Sequence, residues 1–165
     1  MVWSIVALEA ASFTALFTAL VLLPSIKHPE AGVPNYPPEI QDAYFKTHPR
    51  VPTAPLSGRT IAIKSFGILL FTALLTLGAI WAGADSFWDG ALFAAILFLI
   101  VGAWDTFFID WVLFAHWKIF RLPGTEHMDK EYAQKWFHVK GMLFPGSLFL
   151  VIISALTGLI VSLVK

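Results

Sequence analysis

The sequence predicts an all-α integral membrane protein: a bundle of four transmembrane helices with a long proline-rich cytoplasmic loop after the first. Three observations lead there. Of 165 residues, 58% are apolar, 15% aromatic and 13% charged, with mean hydropathy +0.74, a balance far from that of a soluble domain. Four apolar stretches, at about 3–23, 61–84, 91–117 and 142–164, approach or exceed the roughly 20 residues that cross a hydrocarbon core of about 30 Å. Lysine and arginine gather in two of the connections and are missing from the third, the asymmetry produced by the positive-inside rule.

Each element follows in order. The first stretch lacks a basic segment before it, carries Glu9, and outlasts the apolar core of a signal peptide, so it reads as a retained helix. Ala7, Ala11, Ala15 and Ala19 recur every fourth residue along it and predict a small-residue stripe for close helix packing. Residues 24–60 then hold eight prolines, which exclude a regular helix throughout and imply an extended strap. Within the strap, residues 39–48 follow Pro37 and Pro38 with acids early and Lys46 late, a short-helix pattern. Its Ile40, Ala43 and Tyr44 would share a face resting on the membrane; the alternative is an unstructured linker.

The second span carries Lys64 one turn from its start. A short acidic turn with Asp85 and Asp89 leads to the third span, which is longer than a bilayer requires. Its Lys118–Arg121 end is expected to project into the headgroups until Pro123 and Gly124 stop it. A cytoplasmic loop over residues 118–141 precedes the fourth span, which Pro145 and Gly146 interrupt. Lys27, Lys46, Arg50 and Arg59 in the first connection, with Lys118, Arg121, Lys130, Lys135 and Lys140 in the last, place both on the cytoplasmic side. Both termini then lie on the non-cytoplasmic side of a cell membrane. Trp3, Trp81 and Trp88 mark the outer interface, Trp117 and Trp136 the inner one.

Several chemistries fall away. Formal net charge is zero and no basic face is concentrated, so no nucleic-acid partner is expected. Without cysteine there is no disulfide, thiolate-bound metal, Fe–S cluster or cysteine nucleophile. The metalloprotease HExxH, the haem-attachment CxxCH and the GxSxG elbow are all missing. No catalytic residue is assigned, and an enzyme is not the leading expectation.

What remains is charge in apolar helices. An aspartate at mid-bilayer costs roughly 2.5–3.5 kcal/mol on insertion scales, so such residues face inward, pair, or function. Asp105 follows Ala91, Ala95, Phe98 and Gly102 at spacings of three or four, and His116 lies three turns further on nearly in line. Asp110 points about 140° away if the helix is α throughout. Lys64 is the expected partner of Asp110 at similar depth, the alternative being that it snorkels to the cytoplasmic headgroups; Asp105 is left as either a hydrogen-bond donor to a backbone carbonyl or a proton-exchanging site. Glu9 belongs either to a second polar layer or to the outer headgroups.

His116 and His138 bracket the last cytoplasmic loop. They are candidate ligands for haem iron or, with a carboxylate, a metal ion; no cofactor is the simpler expectation. The leading functional expectation is transport of a small solute, proton or cation, or ligand handling, through a polar cavity formed by Lys64, Asp105, Asp110, His116 and His138. The alternatives are a haem- or metal-binding redox protein using His116 and His138, and an accessory subunit whose charges serve assembly. Beyond the lipid bilayer, the small size points to a homo-oligomer or a larger membrane complex.

Overall fold

A computed structural model describes residues 1–50 and 57–165, excepting the side chain of Lys64. Every regular element among the described residues is helical, and four helices are long and apolar enough to cross a membrane. They are Trp3–Lys27, Gly58–Trp81, Phe87–Phe114 and the interrupted Asp129–Val164. In chain order the α-helices are α1 (Trp3–Lys27), α2 (Pro38–Tyr44), α3 (Gly58–Trp81), α4 (Phe87–Trp104), α5 (Asp129–Tyr132), α6 (Lys135–Gly141) and α7 (Ser147–Val164). A π-helical segment, Asp105–Phe114, continues α4.

The chain forms two compact units: Met1–Phe13, Pro52–Val101 and Pro145–Lys165 in one, Thr14–Val51 and Gly102–Phe144 in the other. The first is a four-helix bundle. Its core takes Val6 and Ala10 from α1, Leu75 and Ala79 from α3, Phe93, Ala94 and Leu97 from α4, and Ile153 and Val161 from α7. Local chemistry places the helix ends. Ser57 Oγ accepts the Thr60 N–H to start α3, and Ser86 Oγ accepts the Asp89 N–H while donating to its carboxylate to start α4, as N-caps do. Between them the chain reverses through Gly83 at φ +83°, a left-handed conformation that glycine adopts without steric cost.

Where α4 crosses α7, glycine is required for space. A Cβ on Gly158 would stand 2.5 Å from the Phe87 carbonyl oxygen, and one on Gly90 would stand 2.8 Å from Val161 Cγ2. Backbones that approach this closely gain dispersion contacts along both helices. The alanine stripe of α1 takes no such part: Ala7, Ala11, Ala15 and Ala19 are all exposed, and α1 packs instead through Val6, Ala10 and Phe13. Large side chains filling the core outweigh a small-residue seam here.

The second unit contains the two long loops and, of the functional candidates, Asp105, Asp110, His116 and His138. The short helix expected in the strap is present, but its apolar face is covered by the other loop. Pro29–Asn35 forms a 3₁₀-helix, and α2 follows behind Pro37. Ile40 and Tyr44, the face expected to meet lipid, are buried with Val33 and Tyr36 against Leu122 and Tyr132 from the other loop. Removing Ile40 from water stabilises this contact by about 1.5–3 kcal/mol. Tyr36 donates from its hydroxyl to the Phe120 carbonyl at 2.9 Å, and Gln134 donates to Glu39 at 3.0 Å.

Two boundaries also move. The helix that follows α4 stops at His116 because Trp117 is extended at φ −84°, ψ 117°, so Lys118–Arg121 is not a projecting helical end. Arg121, expected among the headgroups, is buried. Its Nη2 donates to the Ala115 carbonyl at 2.8 Å and to Asp129 at 3.0 Å, and its guanidinium carbon lies 3.8 Å from the centre of the Tyr132 ring. A cation there completes the negative end of the helix. The break expected at Pro145 is present: Phe144 adopts φ −149°, ψ 123°, the extended form that a following proline imposes.

Candidate functional site

The site is built where α6 packs on the π-helical segment. Three contacts set the register. Trp111 Nε1 donates to the Lys135 carbonyl at 3.2 Å, His138 Nδ1 meets Asp110 Oδ2 at 2.9 Å, and the Thr106 hydroxyl donates to Met142 sulfur at 3.5 Å. As one sequence number falls the other rises, so the two segments run antiparallel. Residues 135, 138 and 142 are spaced to share one face of α6 and its continuation.

Wide turns change which residues are aligned. Hydrogen bonds in a π-helix close from i to i+5, as the Ala115 N–H does on the Asp110 carbonyl. Residues five apart are therefore little more than one turn apart, as residues four apart are in an α-helix. Asp105 and Asp110 are five apart. The divergence of about 140° computed for an α-helix gives way to two carboxylates stacked along one side, both half-buried and in electrostatic reach of each other and of His138. The small-residue line leading to Asp105 is not the packed one. The core takes Gly90, Phe93, Ala94 and Leu97 from α4 and, in the other unit, Ile109 and Leu113, while a Cβ on Gly102 would meet nothing within 4 Å.

The Asp110–His138 pair is sheltered, with side chains 19% and 14% exposed. A carboxylate accepting from Nδ1–H fixes the tautomer and leaves Nε2 as a proton acceptor. The Lys135 ammonium lies 5.0 Å from the centre of the Trp111 ring. Phe137 meets the His138 imidazole edge-on at 5.2 Å.

The remaining candidates lie apart from this geometry or outside it. Asp110 has His138 as its described partner; the expected Lys64–Asp110 pair falls on a side chain outside the described residues. His116 is exposed, and its Nδ1 lies 3.0 Å from the Val112 carbonyl of its own helix. Glu9 belongs to the four-helix unit, where its carboxyl group would stand 3.3 Å from a Cβ on Gly78 of α3. Among the described residues no group of three or more His, Cys, Asp or Glu side chains gathers as a metal-binding set.

Sequence reasoning missed the second polar cluster of this unit. The Tyr132 hydroxyl accepts the Leu122 N–H at 2.9 Å and bonds the Thr125 hydroxyl at 2.7 Å, beneath Arg121. Burial, with the neighbouring Tyr132 adding to it and Arg121 opposing, raises the pKa of Tyr36. Only the eight-residue separation of Arg121 from Asp129 hints at this cluster in the sequence. Comparison with protein-family models, curated proteins and solved structures finds no match.

Proposed function

We propose that this chain spans a cell membrane four times, with both termini on the non-cytoplasmic side, and moves protons or a small cation through a site made by Asp105, Asp110 and His138. The observation that carries the reading is the Asp110–His138 pair, held at 2.9 Å between two separate segments, one of them π-helical. Long π-helical stretches are rare and concentrate at functional sites, and ionisable groups in a span are functional by default.

In this reading Asp105 is the exchanging carboxyl. A proton or cationic group that neutralises it removes one of the two stacked negative charges that attract a protonated His138. When a proton is the cargo, its transfer from Asp105 to the free Nε2 of neutral His138 leaves Asp105 ionised again, and release of the proton from Nε2 toward the cytoplasmic side returns both groups to their starting state. The gate therefore consists of Asp110 and His138, and His116, exposed at the helix end, is the last acceptor before water.

Infrared difference spectra of the full chain in lipid, recorded across a pH titration, test the exchange step. A protonated-carboxyl band that changes with pH in the wild type and is lost in Asp105→Asn supports it. No carboxyl band of this kind in the wild type refutes it.

A further inference from the structure

We infer that the outer face of α6 and the chain leading to Phe144 form a docking surface for the anionic phospholipid headgroups of the bilayer. One side of α6 is committed to the π-helical segment through His138. Residues two positions away lie about 200° round an α-helix, and Trp136 and Lys140 flank His138 in this way. Trp136 is 75% exposed, and Lys140 is exposed on the same side, four residues along. Beyond them Leu143 and Phe144 are 60% and 73% exposed, presented outward by the extended backbone at Phe144.

Charge decides the occupant. Residues 135–144 contain two lysines and no aspartate or glutamate, and the two carboxylates of the facing segment, Asp110 and Asp105, lie toward the side of α6 that carries His138. Lys135 lies on the flank of α6 that meets Trp111, where its side chain is exposed and its ammonium stands 5.0 Å from the centre of that ring. A cationic strip with an amphipathic indole and an apolar end matches a layer of negative headgroups above acyl chains. A zwitterionic surface offers no net charge for the lysines, and an apolar protein partner would leave them unpaired. The strip lies within the interrupted candidate span Asp129–Val164 and ends three residues before α7. The inference rests on the membrane reading but not on proton exchange.

Quenching of tryptophan fluorescence by brominated lipids tests it on the full chain in bilayers. The share of signal from Trp136 is the difference between the wild type and Trp136→Phe. Brominated phosphatidylglycerol should quench that share with higher affinity than brominated phosphatidylcholine, by about fivefold for each lysine engaged, and the preference should shrink as salt rises. Lys135→Gln/Lys140→Gln should abolish the preference. Lys140→Gln alone, at an exposed position, should lower it about fivefold and serves if the double variant fails to fold. Equal quenching by the two lipids in the wild type overturns the inference, as does a preference unchanged in the lysine variants. Alkaline extraction separates this failure from the larger one: a chain released from membranes refutes membrane insertion itself.

Discussion

Replacing Gly158 by alanine adds one methyl group where α7 crosses α4, and its cost can be worked from the structure. The new Cβ would stand 2.5 Å from the Phe87 carbonyl oxygen and 3.1 Å from both Ala91 Cβ and Phe87 Cδ2. The nearest obstacle is backbone, so no rotamer change relieves it and the helices must separate. Overpacking of this kind costs typically about 1–3 kcal/mol, occasionally more, against a gain of up to about 1 kcal/mol from helix propensity. With the full propensity gain a net loss of about 0–2 kcal/mol follows. Gly102→Ala is the internal control, because its Cβ meets nothing within 4 Å; it should leave stability unchanged or raise it by up to about 1 kcal/mol. Both are read by thermal unfolding of the detergent-solubilised chain, followed by circular dichroism. Gly158→Ala equal to or more stable than Gly102→Ala would refute the close α4–α7 crossing.

Three further outcomes are expected. Arg121→Ala removes a charge-assisted bond to the Ala115 carbonyl and the stacking on Tyr132, and should lower stability by about 2–4 kcal/mol in denaturant titration; the exposed carboxylate of Asp129 adds little. Arg121→Lys restores the charge but not the planar fork, and should recover less than half of that loss. Tyr36 has its pKa raised by burial, so its contribution to stability is complete below the ordinary tyrosine value of about 10 and is lost as pH rises through its higher folded value. Alkaline titration of tyrosinate absorbance should therefore show one of the three tyrosines ionising late, and Tyr36→Phe should remove that late step.

The helical class and the four long apolar stretches were legible because twenty apolar residues in a row have few other uses. The helix break at Pro145 and the start of α2 behind Pro37 were legible for a similar reason: proline acts through its own ring and its neighbour's backbone. The candidate site was legible by residue and not by geometry. Asp105, Asp110 and His138 stand out as ionisable groups in or beside apolar runs, yet the π-helical segment that aligns the two aspartates contains no proline or glycine to announce it. An assumed α-helical period turned them apart.

Tertiary packing accounts for the other differences. The alanine stripe of α1 has the right spacing for a seam, but spacing does not say which face a neighbour covers. Arg121 looks like any loop cation until Tyr132, Asp129 and the Ala115 carbonyl are brought around it. The proline-rich strap offers little helical periodicity to read, and its order comes from Tyr36, Ile40 and Tyr44 finding the second loop.

Proton flux into liposomes containing the purified full chain tests the central claim most directly. With an imposed pH gradient, the wild type should acidify or alkalinise the interior well above protein-free liposomes. Asp105→Asn should bring the rate to the protein-free level, and His138→Gln should lower it while the fold is retained. Flux in Asp105→Asn equal to that of the wild type would contradict the account.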